Sequence, residues 1–148
     1  MKLQVSSQLA IFAVLELSAA PERQLSVAEI GEKYGISSHH LAKVMHVLGR
    51  AGVVRAVRGA HGGYQFSGNP RRVTLLDVIQ LFEPLGADGE TLVGEATEEG
   101  RALRRVLGEV DDIARATLGS ITLATMHKIV ERKPPARPER KAAHAGRR

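Results

Sequence analysis

Apolar residues recur at helical spacing along most of the chain, which predicts a mainly α protein with a small β-hairpin. The first helix is predicted at residues 5–18, where the stretch LAIFAVL is apolar nearly all round. A helix of this kind needs burial on more than one side, and in so small a domain we expect another subunit to cover the second side. A long helix is predicted at about residues 101–118. Its apolar residues form one stripe, made of Leu103, Val106, Leu107, Val110 and Ile113.

Two shorter helices are predicted between these, joined by a tight turn. Ser26 is followed three residues later by Glu29, the pattern of a capping box, and Gly35 ends this helix. The next helix is predicted to be capped by Ser37 and to stop at Gly52. Its apolar residues lie at i, i+3, i+4 and i+7, namely Leu41, Val44, Met45 and Leu48. This arrangement is typical of a helix-turn-helix.

A β-hairpin is predicted directly afterwards, with arms at 53–57 and 64–67. Gly59, Gly62 and Gly63 lie at its tip, where glycine permits the positive φ angles of a tight reversal. Taken alone, the arginine and histidine at this tip fit an ordinary solvated turn. Because a helix-turn-helix precedes the hairpin, we interpret it as the wing of a winged helix.

Four segments organise the chain. Residues 1–84 are predicted to form the winged helix-turn-helix domain, including a helix that starts with a Thr74/Asp77 capping box and stops before Pro84. Residues 85–100 form a loop, which is rich in glycine and acid. Residues 101–131 contain the long helix and a last short one, and residues 132–148 form a disordered basic tail.

Composition narrows the chemistry. The 148 residues contain no cysteine, which excludes disulfides, cysteine nucleophiles and thiolate-bound metals or clusters. No apolar run is long enough to span a bilayer, so we expect a cytoplasmic protein. The formal net charge of +5 is segregated, with +5 in residues 1–72, −6 in residues 73–131 and +6 in residues 132–148. Only part of the chain is therefore expected to meet a polyanion.

The second helix of the helix-turn-helix is expected to enter the major groove of DNA, where the base edges carry a readable pattern. Its outward face would carry Ser38, His39, Lys43, His46 and Arg50. The residues near its start are expected to reach bases, whereas Arg50 is expected to meet phosphate. His40 lies on the flank of the apolar stripe, where packing and base contact both stay open.

The hairpin supplies the remaining contacts. Arg58 is expected to enter the narrow minor groove, with His61 as a second candidate. The complete set of predicted DNA-contacting residues is Ser38, His39, His40, Lys43, Arg50, Arg55, Arg58, Gly59, His61, Gly62, Gly63 and Tyr64. No catalytic constellation stands out, and the histidines of the helix lack nearby carboxylate or cysteine ligands, so we predict neither an enzyme nor a metal site or cofactor.

The segment VRGAHGGYQFSGNPRRVTLLDVI resembles the RGxxGGYxL…P…ITLxDV pattern of the Rrf family of bacterial winged-helix transcription regulators, which includes the IscR, NsrR and CymR types. The resemblance spans most of residues 1–130, and the closing ITLATM also fits. Within the family, ISSHHLAKVMHVLGRAGVV is similar to the nitric-oxide-sensing NsrR branch, whose His-Leu-x-Lys-Val is matched by His40, Leu41, Lys43 and Val44.

The resemblance implies a homodimer, in which the long helix pairs with its counterpart and the first helix packs against the partner. It also implies a palindromic operator in double-stranded DNA. Sensor members bind an iron–sulfur cluster through three cysteines in the loop before the long helix. This chain has none there, and Arg101 stands about where the last would be. Cluster binding is therefore not carried over, and the effector stays unknown.

The sequence thus predicts a dimeric DNA-binding repressor that does not sense through a cysteine-ligated cluster. Two alternatives stay open. One is a winged-helix protein-interaction module with no operator of its own. The other is a regulator that holds a cluster through ligands other than cysteine.

Overall fold

A computed structural model describes residues 1–60, 62–86 and 91–132 of the protein. His61, part of the predicted loop and nearly all of the predicted basic tail therefore lie outside the described residues. The elements are, in chain order, α1 Val5–Ala19, α2 Val27–Tyr34, α3 Ser38–Arg50, β1 Val54–Val57, β2 Gly63–Phe66, α4 Leu75–Ile79, α5 Glu98–Ser120 and α6 Leu123–Glu131. The mainly α fold with one antiparallel hairpin is confirmed.

Helix α1 lies at the centre of the fold, where it contacts α3, α4, α6 and β2. Val14 and Leu17 are fully buried. The apolar circumference that the sequence shows is therefore covered largely by the same chain, and α1 does not need a second subunit for most of its burial. Phe12 remains 38% exposed and stacks on Tyr34 of α2, with ring centroids 5.0 Å apart.

Both predicted capping boxes are present. The Ser26 hydroxyl accepts from the Glu29 N–H at 3.1 Å, and the Glu29 carboxylate accepts from the Ser26 N–H at 2.7 Å. Thr74 and Asp77 exchange the same two bonds at the start of α4. Ser37 occupies the N-cap position of α3 as predicted, although its side chain makes no capping hydrogen bond.

Two helix boundaries differ from the sequence prediction. Helix α4 ends at Ile79, well before Pro84, because the next N–H groups turn back to closer carbonyls: that of Phe82 bonds to Ile79 at 3.0 Å. Helix α5 begins three residues earlier than predicted, because the Thr97 hydroxyl accepts from the Gly100 N–H at 3.0 Å and so caps the helix there. At its other end α5 runs to Ser120, close to the predicted end at about residue 118.

The turn between α2 and α3 depends on two glycines. Gly35 has φ +65°, the left-handed conformation that ends a helix. At Gly31 a Cβ would lie 2.7 Å from the carbonyl oxygen of Ile36, which is backbone and does not give way easily. The sequence reading identified Gly35 but not Gly31. Together they set the close approach of the two helices.

The hairpin is attached to the segment before α2 by backbone pairing. The N–H of Tyr64 donates to the carbonyl of Leu25 at 2.8 Å, and the N–H of Leu25 donates back to Tyr64 at 3.0 Å. A Cβ at Gly63 would lie 2.5 Å from the Leu25 carbonyl oxygen. Only glycine therefore fits at the start of β2 if this pairing is kept.

Gly63→Ala is expected to lower the free energy of unfolding by about 1–3 kcal/mol, because the methyl group overpacks against backbone. Thermal unfolding followed by circular dichroism measures the effect. Gly49→Ala in α3 is the matched control, since open space surrounds that position and alanine favours helix. Equal melting temperatures for the two variants would contradict this account of the attachment.

Candidate nucleic-acid interface

One face of α3 is anchored in the core and the opposite face is open. Leu41, Met45 and Leu48 are fully buried. The outward residues recur at helical spacing and are all exposed: His39, Lys43, His46 and Arg50. Helix α3 contains no acidic residue, so this face presents hydrogen-bond donors and positive charge without compensation.

Two further predicted residues lie near the start of α3. Ser38 is exposed in the first turn, and His40 is half-buried between the apolar stripe and the outward face. That position agrees equally with packing and with a contact to DNA.

The hairpin presents Arg55 from β1 and Arg58 just beyond it, and both are exposed. Gly59 has φ +136°, as the sequence reading expected of a tip glycine. The interpretation was wrong for Gly62 and Gly63, whose φ angles are not positive. Gly62 is required for a different reason, because a Cβ there would lie 2.9 Å from the carbonyl oxygen of Val57.

An open cleft separates the C-terminal half of α3 from β1. It brings together Arg50 and His46 from the helix with Arg55 and Tyr64 from the hairpin. None of the residues that line it is acidic. Of the predicted DNA contacts, Arg50, Arg55 and Tyr64 line the cleft. The other described ones do not: Ser38, His39, His40 and Lys43 in the first half of α3, and Arg58, Gly59, Gly62 and Gly63 of the hairpin.

Gln65 is a polar residue of this region that the sequence reading missed. It lies directly opposite Arg55 in the hairpin register. Its side-chain oxygen accepts from Arg55 Nη2 at 2.6 Å and from Arg55 Nε at 3.1 Å. The signal was available, since residues opposite each other across a tight hairpin share one face of the sheet.

A polar brace holds α2 against α1 and so fixes the base of the helix-turn-helix. The Glu16 carboxylate accepts from the Tyr34 hydroxyl at 2.6 Å and forms an ion pair with Lys33. Burial raises the pKa of Glu16, but the hydrogen bonds from Lys33 and Tyr34 outweigh it, and the pKa is lowered overall. Burial and the adjacent carboxylate raise the pKa of Tyr34.

Comparison with known proteins gives a consistent picture. The sequence model of the Rrf2 family, described as an iron-dependent transcriptional regulator, matches residues 3–129. The chain is 48% identical over 131 residues to the putative HTH-type transcriptional regulator BadM of Rhodopseudomonas palustris, covering 88% of this chain and 84% of that protein.

Two solved structures show the same fold. CymR, the global cysteine regulator of B. subtilis, superposes with a TM-score of 0.75 at 27% identity, covering 87% of this chain and 98% of CymR. IscR of T. potens superposes with a TM-score of 0.67 at 26% identity, covering 91% and 93%. In the described part of the chain, no helix has the length and hydropathy that a membrane span requires.

The brace predicts a pH dependence of stability. The pKa of Glu16 is lower in the folded chain than in the unfolded one, so its contribution is fully present above the unfolded value of about 4.3 and is lost as the pH falls through the lower folded value. Glu16→Gln should lower the melting temperature near neutral pH, and the difference from wild type should shrink below about pH 4. Glu32→Gln, an exposed change on α2, serves as the control. A deficit that stays constant down to acid pH would rule out the ionised brace.

Proposed function

The chain belongs to the Rrf2 family of transcriptional regulators, and from that premise we propose that it is a dimeric repressor that binds a palindromic operator in double-stranded DNA. It is a DNA-binding regulator with the winged-helix fold and, like its relatives, not an enzyme. The proposal also places it in the cytoplasm, where the bacterial chromosome lies.

The observation that carries the proposal is the exposed, acid-free face of α3 together with the cleft in which its His46 and Arg50 lie beside Arg55 of the hairpin. The outward face of α3 has the shape and donors that fit the major groove. We propose that Arg58 at the hairpin tip enters the flanking minor groove, where negative potential favours arginine. The contacts we propose are Ser38, His39, His40, Lys43, Arg50, Arg55, Arg58, Gly59, His61, Gly62, Gly63 and Tyr64. His61 lies outside the described residues.

The dimer is supported by the surface of α5. Only Gly100 of this 23-residue helix is buried. Leu103, Val106, Val110 and Ile113 are between 49% and 67% exposed, on one stripe along the helix. Such a contiguous apolar surface is typical of an interface. We propose that the stripe pairs with its counterpart in a second copy, which would make the operator palindromic with half-sites roughly one helical turn, about 34 Å, apart.

The proposed units follow from this arrangement. Residues 1–84 would bind DNA and residues 101–131 would pair the two copies, with residues 85–100 between them. Helix α6 returns to the core of the first unit, because Leu123 is fully buried there and its N–H donates to the carbonyl of Val73 at 3.0 Å. Because α6 follows α5 and packs on the first unit, pairing through α5 would fix the positions of the two DNA-binding units relative to each other. The basic tail, residues 132–148, would either add affinity for DNA of any sequence or contribute only solubility.

The family is described as iron-dependent, but the residues of this chain do not fit an iron site. Cysteine thiolates hold iron–sulfur clusters, and the chain contains no cysteine. In the described part of the loop before α5, Glu95 forms an ion pair with Arg104 at 2.7 Å, and Arg101 donates to the carbonyl of Ala96 at 2.8 Å. Across the described residues, no group of three or more acidic or histidine side chains has an arrangement suited to a metal. We therefore propose a regulator that does not sense through a cluster.

The branch assignment stays a proposal of the same kind. The motif of His40, Leu41, Lys43 and Val44 supports the proposal that the chain is nearest the NsrR branch. The motif lies on α3 and not in the sensing loop. It therefore supports a similarity in how DNA is read, and it carries no implication of nitric oxide sensing.

Selection of bound sequences from a random DNA pool tests the function, and Arg58→Ala tests the wing on the operator so obtained. We expect an enriched palindrome. The variant should bind it about tenfold more weakly, with a flatter dependence of affinity on salt concentration, because one charged contact is lost. Arg105→Ala, an exposed arginine on α5, is the control.

Recovery of no common sequence would instead favour a protein-interaction module. An operator that Arg58→Ala binds as well as wild type would remove the wing contact from the proposal while leaving α3 in place.

Val110→Glu tests the dimer. A carboxylate in the middle of the apolar stripe would be buried without a partner, so we expect the variant to become monomeric and to lose most operator affinity. Sedimentation or light scattering gives the molecular mass. Arg105→Glu introduces the same side chain on α5 outside the stripe and should stay dimeric. A Val110→Glu protein with the mass of a dimer would show that the stripe is not the interface.

A further inference from the structure

The cleft between α3 and β1 has the composition of an anion site. Arg50 and His46 line it on the helix side, and Arg55 lines it on the hairpin side. Its volume is about 510 Å³ and it opens to solvent. Gly49 and Gly52 leave its helix side clear of long side chains, so that backbone of another molecule has room to approach. No carboxylate lines the cleft to neutralise the two arginines.

The guanidinium of Arg55, a residue at the edge of this cleft, is held in a defined orientation by Gln65. Gln65 accepts from its Nε and Nη2 atoms, which occupies one edge of the planar group. The other edge, formed by Nη1 and Nη2, points away from Gln65. Two parallel N–H groups on one edge match the spacing of two phosphate oxygens.

The effect of the pairing between Arg55 and Gln65 depends on the charge of the accepting oxygen. An amide oxygen is neutral, so Gln65 orients the guanidinium without cancelling its charge. A carboxylate at the same place would form an ion pair and compete with an incoming anion. The hairpin therefore contains an acceptor that fixes Arg55 and leaves its positive charge available.

We propose that Arg55, at the edge of the cleft between α3 and β1, binds one phosphate of the DNA backbone, and that Gln65 is a positioning residue that presents Arg55 to it. Arg50 supplies a second positive charge from the opposite side of the cleft. This inference rests on the proposed function, and it assigns to the cleft a contact that is independent of base sequence. It fixes the register of α3 on the duplex rather than its choice of bases.

The experiment uses full-length protein and a fluorescently labelled duplex of mixed sequence, about three helical turns long. Binding to such a duplex depends on phosphate contacts, so no operator is needed. Anisotropy titrations at several KCl concentrations give the affinity and its salt slope. Arg55→Ala should weaken binding about tenfold and reduce the slope by about one, as expected for one lost phosphate contact. Arg105→Ala is the control and should leave the slope unchanged.

Two substitutions of Gln65 separate positioning from a purely structural role. Gln65→Ala should weaken binding by about twofold to tenfold, the range for ordering one long side chain on binding. Gln65→Glu should keep or raise the melting temperature, because the pair across the hairpin becomes ionic, yet weaken DNA binding more than Gln65→Ala does. In the Arg55→Ala background, Gln65→Ala should have less than about a twofold effect, since the two residues act as one unit.

The outcomes are distinguishable from a failure of the proposed function. If wild type does not bind the duplex with a steep salt dependence, DNA binding itself is in question. If wild type binds but Arg55→Ala leaves the slope unchanged, the phosphate site is overturned and DNA binding stands. If Gln65→Glu binds as well as wild type, or if the Arg55 and Gln65 effects are simply additive, Gln65 does not position Arg55.

Discussion

The pairing of Leu25 with Tyr64 sets the relation between the two parts of the proposed DNA surface. Two backbone hydrogen bonds join the hairpin to the segment that leads into α2, and α2 in turn packs on α3. Gly63 permits this approach, because a Cβ there would collide with the Leu25 carbonyl. The hairpin is thus tied to the helix-turn-helix at its base. A two-stranded hairpin is marginal on its own, so its direction relative to α3 depends on this attachment together with the contacts of β1 with α3 and of β2 with α1.

Local signals explain which elements the sequence predicts well. Capping boxes at Ser26 and Thr74 and the apolar stripe of α3 act within one or two helical turns, and the structure confirms them. The roles of Gly31, Gly62 and Gly63 were not predictable in the same way. Each depends on a carbonyl that tertiary folding brings near, and nothing in the neighbouring residues marks that contact.

The same distinction applies to the candidate site. Helical periodicity places the outward residues of α3 correctly, and their exposure agrees with it. The cleft beside β1 was not visible in the sequence, because it arises from the angle between a helix and a hairpin. Helices α1 and α5 differ in whether their apolar surface is covered within the chain. Helix α1 finds its partners within the chain, whereas the stripe of α5 stays exposed. Apolar patterning alone does not distinguish these two cases.

The segregation of charge along the chain favours one orientation of the proposed dimer on DNA. The first 72 residues carry net +5 and the next 59 carry net −6, and screening confines each field to about 10 Å at 0.1 M salt. A duplex would therefore be attracted to the proposed surface of α3 and the hairpin and repelled by the acidic segment that contains α5. If two copies pair through α5, their acidic segments lie together and the duplex is excluded from that side. Both α3 helices are then left to meet the same face of one duplex, as a palindromic operator requires.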